Sequence, residues 1–582
     1  MEILYKNNNN KNEFNKWKYC KENVNKRGPD IQSECAKIIC NKWKTILAAS
    51  VLWMQGKNPT SQPCIDDEEN ILLWNGDIFS GPLNDDHENS DTLTLMLKLK
   101  SSKNVIEVLK SIGGPFSIIY YQKSTDIIFF GRDFFGRHSL LIDIDSVDKS
   151  LTLSSVGSKK IDGLIELPAV GIFSIDLKNN NKFDLTCYPW ENITERSLDI
   201  IDRLKDKFSI DVIIEKPILS SNLSVEYPVE PVDTIFFETI EVSKCYQDVM
   251  ELLLQNEKIN NQVCCLLELL KKSVKTRVLK KPSYCKNCIE NKLINNENKI
   301  CNHSKIGILF SGGLDSTILA AIVDEFIPND EPIDLINVAF EKAKSNVDNK
   351  FNKNKIDVSF DVPDRKTGHQ ALEELKKIFP HRYWNFIETN VSQEELLECR
   401  KDKICHLVYP LKTVLDESLG CAVWFGARGK GSTLSNEQTI SSCRILLLGM
   451  GADELFGGYT RHRTTLRQRG WKSLSLELVA EITRISERNL GRDDRVVCDH
   501  GRQSRLPFLD EKFVDYVKNI PAWERCNPSE KMPQGLGDKL LLRLVAYKIG
   551  LTNTSTFPKR AFQFGSRIAN SKENAKDISS WL

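Results

Sequence analysis

The chain has 582 residues, with 80 Lys and Arg against 79 Asp and Glu, so its formal net charge is +1. Hydrophobic residues make up 41% of the sequence and charged residues 27%, which is ordinary for a folded protein. This balance excludes a disordered chain, a collagen-like fibre and a basic coat for nucleic acid. A neutral chain also has no net field that would draw it to an anionic membrane.

The sequence carries neither of the common membrane or export signals. No apolar run reaches the roughly 18 residues of a transmembrane helix, and the start, MEILYKNNNN, lacks the apolar core of a signal peptide. We therefore expect a cytoplasmic protein. Its 17 cysteines are scattered along the chain, and in a reducing compartment they indicate buried thiols or metal ligands rather than a disulfide framework.

The first half of the chain has the pattern of strands. Between about residues 45 and 175, short aromatic and β-branched runs such as ILLWNGDIF and PFSIIYY alternate with Gly, Pro, Asn and Asp. They predict an α+β domain with a largely antiparallel sheet. Residues 176–245 are interpreted as connecting structure, and the run VMELLLQNEKINNQVCCLLELL predicts amphipathic helices before a Cys-rich insert at 281–305.

The second half of the chain repeats a strand, a glycine-rich turn and a helix. KIGILFSGGLDSTILAAIVDEF, INVAF and RILLLGMGADELFGGY have this form. Such alternation predicts an α/β domain with a doubly wound parallel sheet, which binds ligands at the carboxyl ends of its strands. We divide the chain into a first domain at 1–190, a linker with helices and insert at 191–300, and a second domain at 301–582.

The strongest motif is SGGLDS, residues 311–316, between a strand and a helix. Its glycines let the backbone approach a ligand, and the helix start offers free N–H groups to an anion. The motif also supplies two serine hydroxyl groups as hydrogen-bond donors and an aspartate carboxylate that can hold Mg²⁺ against phosphate oxygens. The alternative is a tight turn without a ligand. The candidate ATP-binding residues of this motif are Ser311, Gly312, Gly313, Asp315 and Ser316.

A second candidate site lies in the insert before this motif. Cys285 and Cys288 form a Cys-x2-Cys pair, and Cys301 and His303 follow after 12 intervening residues. Three thiolates and one imidazole are a ligand set that zinc takes in structural sites. The spacing indicates a structural Zn²⁺ site, and free thiols on a loop are the alternative.

Four segments of the second half stand in the order found in the asparagine synthetase family. They are SGGLDS, which resembles the PP-loop of ATP pyrophosphatases, GMGADELFGGY at 449–459, RDDR through RLPFLD at 492–510, and FPKRAFQFG at 557–565. The resemblance covers about residues 300–570 and implies a PP-loop synthetase domain. The family activity it implies is ATP-dependent amidation of aspartate through an acyl-adenylate, with glutamine or ammonia as the nitrogen donor.

The resemblance also implies roles for single residues. By position, Asp315 and Asp453 would hold Mg²⁺, and Lys559 would neutralise the pyrophosphate. The residues implied to line the adenosine are Leu309, Val338 and Gly449. Met450 stands where the family's synthetases carry a glutamate that can deprotonate ammonia, and a thioether cannot accept that proton. A degenerate nucleotide-binding paralogue with a regulatory or scaffolding role is therefore the alternative function.

The first half resembles the family's class II glutamine amidotransferase domain, an Ntn-type sandwich. The segments that carry this resemblance are RGPD at 27–30, WNGDIF at 74–79, GPF at 114–116 and GRDFFG at 131–136. By position, Asn75 and Gly76 would form an oxyanion hole and Asp91 would meet the α-amino group of glutamine. Asp77 stands in place of the usual glutamate. By itself, the Asn-Gly pair fits a type I′ hairpin turn equally well.

The amidotransferase resemblance lacks two catalytic residues. This class uses a cysteine directly after the initiator Met as nucleophile, whereas the sequence has Glu2, and Val51 and its neighbours stand where an arginine would hold the glutamine carboxylate. We expect no glutamine hydrolysis by the chain as printed, either because the domain is vestigial or because its natural start differs. The expected partners are ATP with Mg²⁺, aspartate, glutamine or ammonia, and a second copy in a homodimer.

Overall fold

The structure, a computed structural model, describes residues 2–5, 11–84, 89–145, 149–178, 183–219, 245–295, 301–341, 359–529, 532, 535–569 and 574–582, with side chains from Lys16 onward. The strands of the first half are β1 (Glu2–Tyr5), β2 (Ile31–Ile39), β3 (Trp43–Val51), β4 (Cys64–Ile65), β5 (Ile71–Gly76), β6 (Phe116–Gln122), β7 (Ile127–Arg132), β8 (Leu141–Asp145), β9 (Ser150–Ser154), β10 (Ile165–Glu166), β11 (Gly171–Asp176), β12 (Leu185–Pro189) and β13 (Val212–Ile214). Its helices are α1 (Lys11–Arg27), α2 (Asp91–Ser101), α3 (Val105–Lys110) and α4 (Glu195–Phe208).

These elements form a two-sheet sandwich. One sheet has the order β10-β8-β9-β1-β3-β2 and the other β13-β12-β11-β7-β6-β5-β4, and all pairs are antiparallel except β12 with β13. Apolar side chains of both sheets form the core between them, with Leu47 and Leu153 from the first and Phe130 and Phe173 from the second. The predicted antiparallel α+β domain is confirmed in this coarse form. It extends beyond residue 190, because β13 and α4 pack on it.

The second half begins with helices from the segment assigned to the linker. Its helices are α5 (Tyr246–Gln255), α6 (Glu257–Leu279), α7 (Ile289–Asn295), α8 (Leu314–Asp324), α9 (Pro363–Ile378), α10 (Gln393–Cys399), α11 (Cys405–Val408), α12 (Val414–Arg428), α13 (Ala452–Phe456), α14 (Thr460–Thr483), α15 (Leu490–Cys498), α16 (Glu511–Lys518), α17 (Ala522–Arg525), α18 (Leu540–Lys548) and α19 (Phe562–Gly565). Short 3-10 turns span Ile485–Glu487, Pro507–Leu509 and Thr554–Thr556, and a π-helical turn spans Arg400–Ile404.

The sheet of the second half is mainly parallel. Its strands are β14 (Ile306–Leu309), β15 (Ile333–Phe340), β16 (Trp384–Val391), β17 (Lys430–Ser432), β18 (Gln438–Ile440), β19 (Ile445–Leu447) and β20 (Gln503–Arg505). Their order is β18-β17-β16-β15-β14-β19-β20, and the antiparallel pairs are β16 with β17 and β17 with β18. After β14, the chain adds the strands from β15 to β18 on one side of β14. It then adds β19 and β20 on the other side, so the switch point of this doubly wound sheet lies between β14 and β19.

Helices α5 and α6 belong structurally to this second half. Val263 and Leu270 of α6 are buried in the same core as Ile318 of α8 and Leu541 of α18. Within the described ranges, no helix combines the length and the apolar character needed to cross a membrane.

Buried polar contacts join the two halves at Asp494 on α15. Its carboxylate accepts from Arg27 Nη2 at 2.7 Å, and lies 2.8 Å from His138 Nδ1 and 3.1 Å from the backbone N of Ser139. Burial acts to raise the pKa of Asp494, but the charge of Arg27 and these hydrogen bonds outweigh it and hold the pKa far below the ordinary carboxyl value. A full negative charge therefore stands at the centre of this interface.

Candidate functional site

The loop after β14 has the geometry that the SGGLDS pattern predicts. Gly312 has φ +71°, and a Cβ there would lie 2.4 Å from the backbone N of Gly368 on α9, so a side chain is excluded. Thr367 Oγ1 donates to the Ser311 carbonyl at 2.9 Å and fixes the loop on α9. Gly313 is the N-cap of α8 and has no side chain to cap it. The start of α8 is thus open to an anion.

Two carboxylates and two lysines meet beside this loop. Lys539 Nζ lies 2.6 Å from Asp315 Oδ2 and 2.6 Å from Asp453 Oδ1, and Lys559 Nζ lies 2.5 Å from Asp453 Oδ2. Asp315 follows β14 and Asp453 follows β19, so the switch point of the sheet brings together residues that are far apart in sequence. The two carboxylates and the two lysines form one charged centre, which we call the lysine–aspartate centre (Asp315, Asp453, Lys539 and Lys559).

The charges of this centre are strongly coupled. Burial acts to raise the pKa of Asp453, but Lys539 and Lys559 outweigh it, so the pKa falls well below its ordinary value. Burial acts to lower the pKa of Lys539, but Asp315 and Asp453 outweigh it and raise the pKa. Both side chains are therefore ionised at neutral pH.

Lys539 is the residue of this centre that the sequence analysis missed. Its side chain is only 2% exposed, and it stands directly before the buried apolar run of α18. Gly458 makes room for it, since a Cβ there would lie 2.3 Å from Lys539 Cε and 2.0 Å from Asp453 Oδ1. The available signal was a lysine directly before the apolar run Leu540–Leu542, because an unpaired lysine is almost never buried.

The other predicted ATP-binding residues surround the same loop. A Cβ on Gly449 would lie 3.0 Å from Asp315 Cβ, and Ser316 Oγ donates to the Gly313 carbonyl at 3.2 Å. Leu309 and Val338 pack together against α12, with Val338 only 2% exposed. The structure thus gathers the predicted residues, and their roles toward adenosine stay a prediction.

Met450 is half-buried next to the centre, in the turn between β19 and α13. Its Sδ atom accepts from Asn489 Nδ2 at 3.5 Å. The nearby Glu454 is buried and accepts from the hydroxyl of Tyr459 at 2.5 Å. Burial and the charge of Asp453 raise the pKa of Glu454. This carboxylate is committed to Tyr459, and the position of Met450 offers no base.

A second candidate site is a cavity of about 160 Å³ in the first half. The end of β5 brings Asn75 and Gly76 to its wall, and the start of α2 brings Asp91. Asn75 and Gly76 pair with Ser117 and Phe116 of β6. The alternative of a type I′ turn at the Asn-Gly pair is therefore wrong, and the four predicted glutamine-binding residues share one cavity.

The carboxylates in this cavity are already paired with protein groups. Gln55 Nε2 donates to Asp77 Oδ1 at 2.6 Å and to Asp91 Oδ2 at 2.7 Å. Arg505, from the second half, donates to Asp77 Oδ1 at 3.1 Å. Burial, and then the charge of Asp77, raises the pKa of Asp91 to about 7. The amide of Gln55 therefore stands between the two acids, one of which, Asp91, is the residue that the resemblance predicts to meet the α-amino group of glutamine.

We expect this raised pKa to make stability depend on pH. An acid whose folded pKa is raised contributes stability at low pH that is lost as the pH rises, here from 3.8 to about 7. In urea unfolding, this effect should lower the free energy of unfolding of wild type by about 3 kcal/mol between pH 4 and pH 8. An Asp91→Asn variant, which cannot ionise at this position, should not show that decrease. Asp199→Asn, at an exposed acid on α4, is the control. Equal pH profiles for wild type and Asp91→Asn would contradict the assignment.

The first strand begins at the edge of the same cavity. Glu2 pairs through its backbone with Leu47 of β3 and Leu153 of β9, and β3 continues from Leu47 into residues 48–51, which line the cavity. This is the position where the amidotransferase resemblance requires the nucleophile.

The four candidate zinc ligands also come together, in the segment before β14.

Comparison with known proteins identifies the class of the second half. Residues 299–475 and 465–580 match the family model described as Asparagine synthase. Over a shorter stretch, the chain is 25% identical to "Asparagine synthetase B [glutamine-hydrolyzing]" of Escherichia coli, covering 41% of this chain and 37% of that protein. The lysine–aspartate centre lies inside the matched region.

Two relatives are similar over almost the whole chain. The protein named "Asparagine synthetase domain-containing protein 1" of Homo sapiens is 39% identical, covering 94% of this chain and 91% of that one. "Asparagine synthetase domain-containing protein CG17486" of Drosophila melanogaster is 38% identical, covering 97% and 96%. The chain therefore belongs to the asparagine synthase family, among the asparagine synthetase domain-containing proteins.

Proposed function

We propose that this protein activates the side-chain carboxylate of aspartate with ATP and then amidates it. The observation that carries the proposal is the lysine–aspartate centre at the switch point of the sheet, beside an open helix start. Anionic phosphates are stabilised by lysines and helix N-termini, and divalent cations by carboxylates. The family membership supports the same chemistry, since the charged residues of the centre lie in the matched region.

The donor set fits Mg²⁺. Both carboxylate oxygens of Asp315 and Oδ1 of Asp453 face the same point, the ammonium of Lys539, and hard carboxylate oxygens are the ligands that Mg²⁺ prefers. These two residues would hold the ion, which supplies Lewis-acid neutralisation of phosphate charge. With the carboxylates holding the ion, Lys539 and Lys559 would be available to the phosphates.

The reaction proposed for this centre has two steps. First, a carboxylate oxygen of aspartate attacks the α-phosphorus of ATP, the bond to the β-phosphate breaks and pyrophosphate leaves. Negative charge moves onto the leaving group, and Lys539 and Lys559 stabilise it there, because the buried ammonium of Lys539 and the half-buried ammonium of Lys559 lie beside the loop. Second, an amine attacks the acyl carbon, the bond from that carbon to the AMP oxygen breaks, AMP leaves, and the attacking nitrogen loses a proton to solvent. The amine is free ammonia, because the first half as printed lacks the cysteine nucleophile that releases ammonia from glutamine.

The second step is where Met450 matters, because a general base contributes roughly 10²–10⁴-fold to proton transfer. We expect Met450→Glu to raise ammonia-dependent asparagine formation about 100-fold. The rate with hydroxylamine, a nucleophile that is unprotonated at neutral pH, should change little. Met450→Gln, which matches the size of glutamate without its basicity, is the control. An equal gain in both variants would contradict a role for a base at this position.

The proposal is tested by ATP–pyrophosphate exchange, which reports adenylation without amide formation. Wild-type protein should exchange label between pyrophosphate and ATP only when Mg²⁺ and aspartate are both present. Lys559→Ala should abolish the exchange. Glutamate, one methylene longer, is the matched control substrate. If the protein binds ATP in the presence of Mg²⁺ but shows no exchange with any of the carboxylates tested, the result would contradict adenylation. It would match a degenerate nucleotide-binding paralogue.

A further inference from the structure

Three cysteines and one histidine between α6 and β14 form a cluster that the proposed reaction does not use. The Nδ1 atom of His303 lies 3.6 Å from the Sγ atom of Cys285, 3.4 Å from that of Cys288 and 3.7 Å from that of Cys301. All four atoms lie within 4.8 Å of one another. Four potential ligands thus surround one point.

These separations are the edge lengths of a tetrahedral zinc site. Zinc binds sulfur at about 2.3 Å and imidazole nitrogen at about 2.0–2.1 Å, which separates a sulfur from a nitrogen ligand by about 3.6 Å in a tetrahedron. A disulfide would instead join two of the sulfurs at about 2.05 Å and leave the third thiol and the imidazole without a role. Ordinary packing of free thiols gives no reason for three of them to converge on one ring nitrogen.

The backbone around the cluster has the form of a metal-binding turn. The N–H of Cys285 donates to Cys301 Sγ at 3.3 Å, and the N–H of Ile289 donates to the Cys285 carbonyl at 3.1 Å. A donor aimed at a ligand sulfur stabilises thiolate charge and orients the ligand. Lys305 Nζ donates to the Cys301 carbonyl at 2.9 Å and pairs with Glu331 at 2.8 Å. The second ligand pair is therefore held against the parallel sheet.

We propose that Cys285, Cys288, Cys301 and His303 bind one Zn²⁺ in a closed structural site. Three thiolates with one imidazole suit zinc, whereas Mg²⁺ and Ca²⁺ prefer oxygen. Four protein ligands leave no open position for a substrate, so the ion has no part in the chemistry at the lysine–aspartate centre.

The structural role of this ion follows from where the ligands stand. Upstream of the first pair, Lys280 Nζ donates to the Ile78 carbonyl in the first half at 2.5 Å. Downstream of the second pair, β14 begins at Ile306 and leads into the loop at 311–313. The ion would cross-link the connection between the halves to the strand that carries the ATP-binding loop.

The test uses full-length protein produced with added zinc and purified without chelator. Elemental analysis should give one zinc per chain, and replacement by Co²⁺ should give the intense visible d–d bands of a tetrahedral site with sulfur-to-cobalt charge transfer. Cys288→Ser and His303→Ala should lose the metal. His303→Cys should keep it with a shifted cobalt spectrum, because it supplies a fourth sulfur. Cys265→Ser, at an exposed cysteine on α6, should keep one zinc.

Several results would overturn the proposal. Folded wild-type protein without zinc, cobalt bound without tetrahedral bands, or a full equivalent of zinc in Cys288→Ser would each do so. A disulfide between two of the three cysteines, found by mass spectrometry of non-reduced wild type, would also contradict it. The His303→Cys variant keeps the test decisive if Cys288→Ser fails to fold. Loss of ATP–pyrophosphate exchange with zinc content intact would count against the proposed function alone.

Discussion

Replacing Lys539 by methionine should abolish adenylation and weaken the fold. Methionine keeps the length and apolar stem of the side chain but removes the ammonium that lies 2.6 Å from Asp315 and Asp453. Breaking a buried ion pair by removing one partner costs about 3–5 kcal/mol, because the remaining charge is uncompensated. We expect the free energy of unfolding in urea to fall by this amount without Mg²⁺. ATP–pyrophosphate exchange should fall at least about 100-fold, or about 3 kcal/mol of transition-state stabilisation.

The same variant offers a check on the metal site. Since a divalent cation can replace the missing positive charge, Mg²⁺ should raise the melting temperature of Lys539→Met more than that of wild type. Lys548→Met, at an exposed lysine on α18 whose Nζ donates to Asn260, is the matched control. Unchanged stability and exchange in Lys539→Met would contradict the assignment of the centre.

Asp494→Asn should give the second large effect, by leaving positive charge unpaired at the interface of the two halves. Asparagine keeps the size and one oxygen, but Arg27 would remain buried without its counterion. We expect the free energy of unfolding at pH 7 to fall by about 3–5 kcal/mol. Because the folded pKa of Asp494 is lowered, its stabilisation is present above the ordinary value of 3.8 and is lost as the pH falls below it. The difference between variant and wild type should therefore shrink in acid.

The control for this experiment is Asp515→Asn, at an exposed acid on α16. A loss of stability that stays constant from pH 7 to pH 3 would show that packing, rather than the charge of Asp494, holds the interface.

Features of the site that depend on neighbouring residues could be predicted from the sequence. The strand, glycines and helix around Gly312 occupy adjacent positions, so the loop was predicted with its ligand-facing helix start. The Cys-x2-Cys spacing likewise placed Cys285 and Cys288 on one turn. In the same way, β14 appears in the sequence as the unbroken apolar run IGIL, because helices cover both faces of a parallel sheet.

Features that depend on distant pairs could not be predicted. Lys539 lies 224 positions from Asp315, and nothing near it in sequence reveals a carboxylate partner. Arg27 and Asp494 are separated by 467 positions. Arg27 and Asp494 stand in segments that served in the sequence only as marks of family resemblance. The structure joins these two residues across the interface of the halves. The Asn-Gly pair was ambiguous for a related reason, since only the register of β5 on β6 excludes a turn.

The central claim is that a carboxylate attacks the α-phosphorus of ATP at the lysine–aspartate centre. Aspartate labelled with ¹⁸O in its side-chain carboxylate, incubated with the protein, ATP, Mg²⁺ and hydroxylamine, tests this directly by mass spectrometry of the nucleotide and phosphate products. An acyl-adenylate transfers one labelled oxygen to AMP when the nucleophile displaces it, so we predict AMP carrying one ¹⁸O and unlabelled pyrophosphate. Label in inorganic phosphate with ADP as product, or AMP without label, would contradict the account.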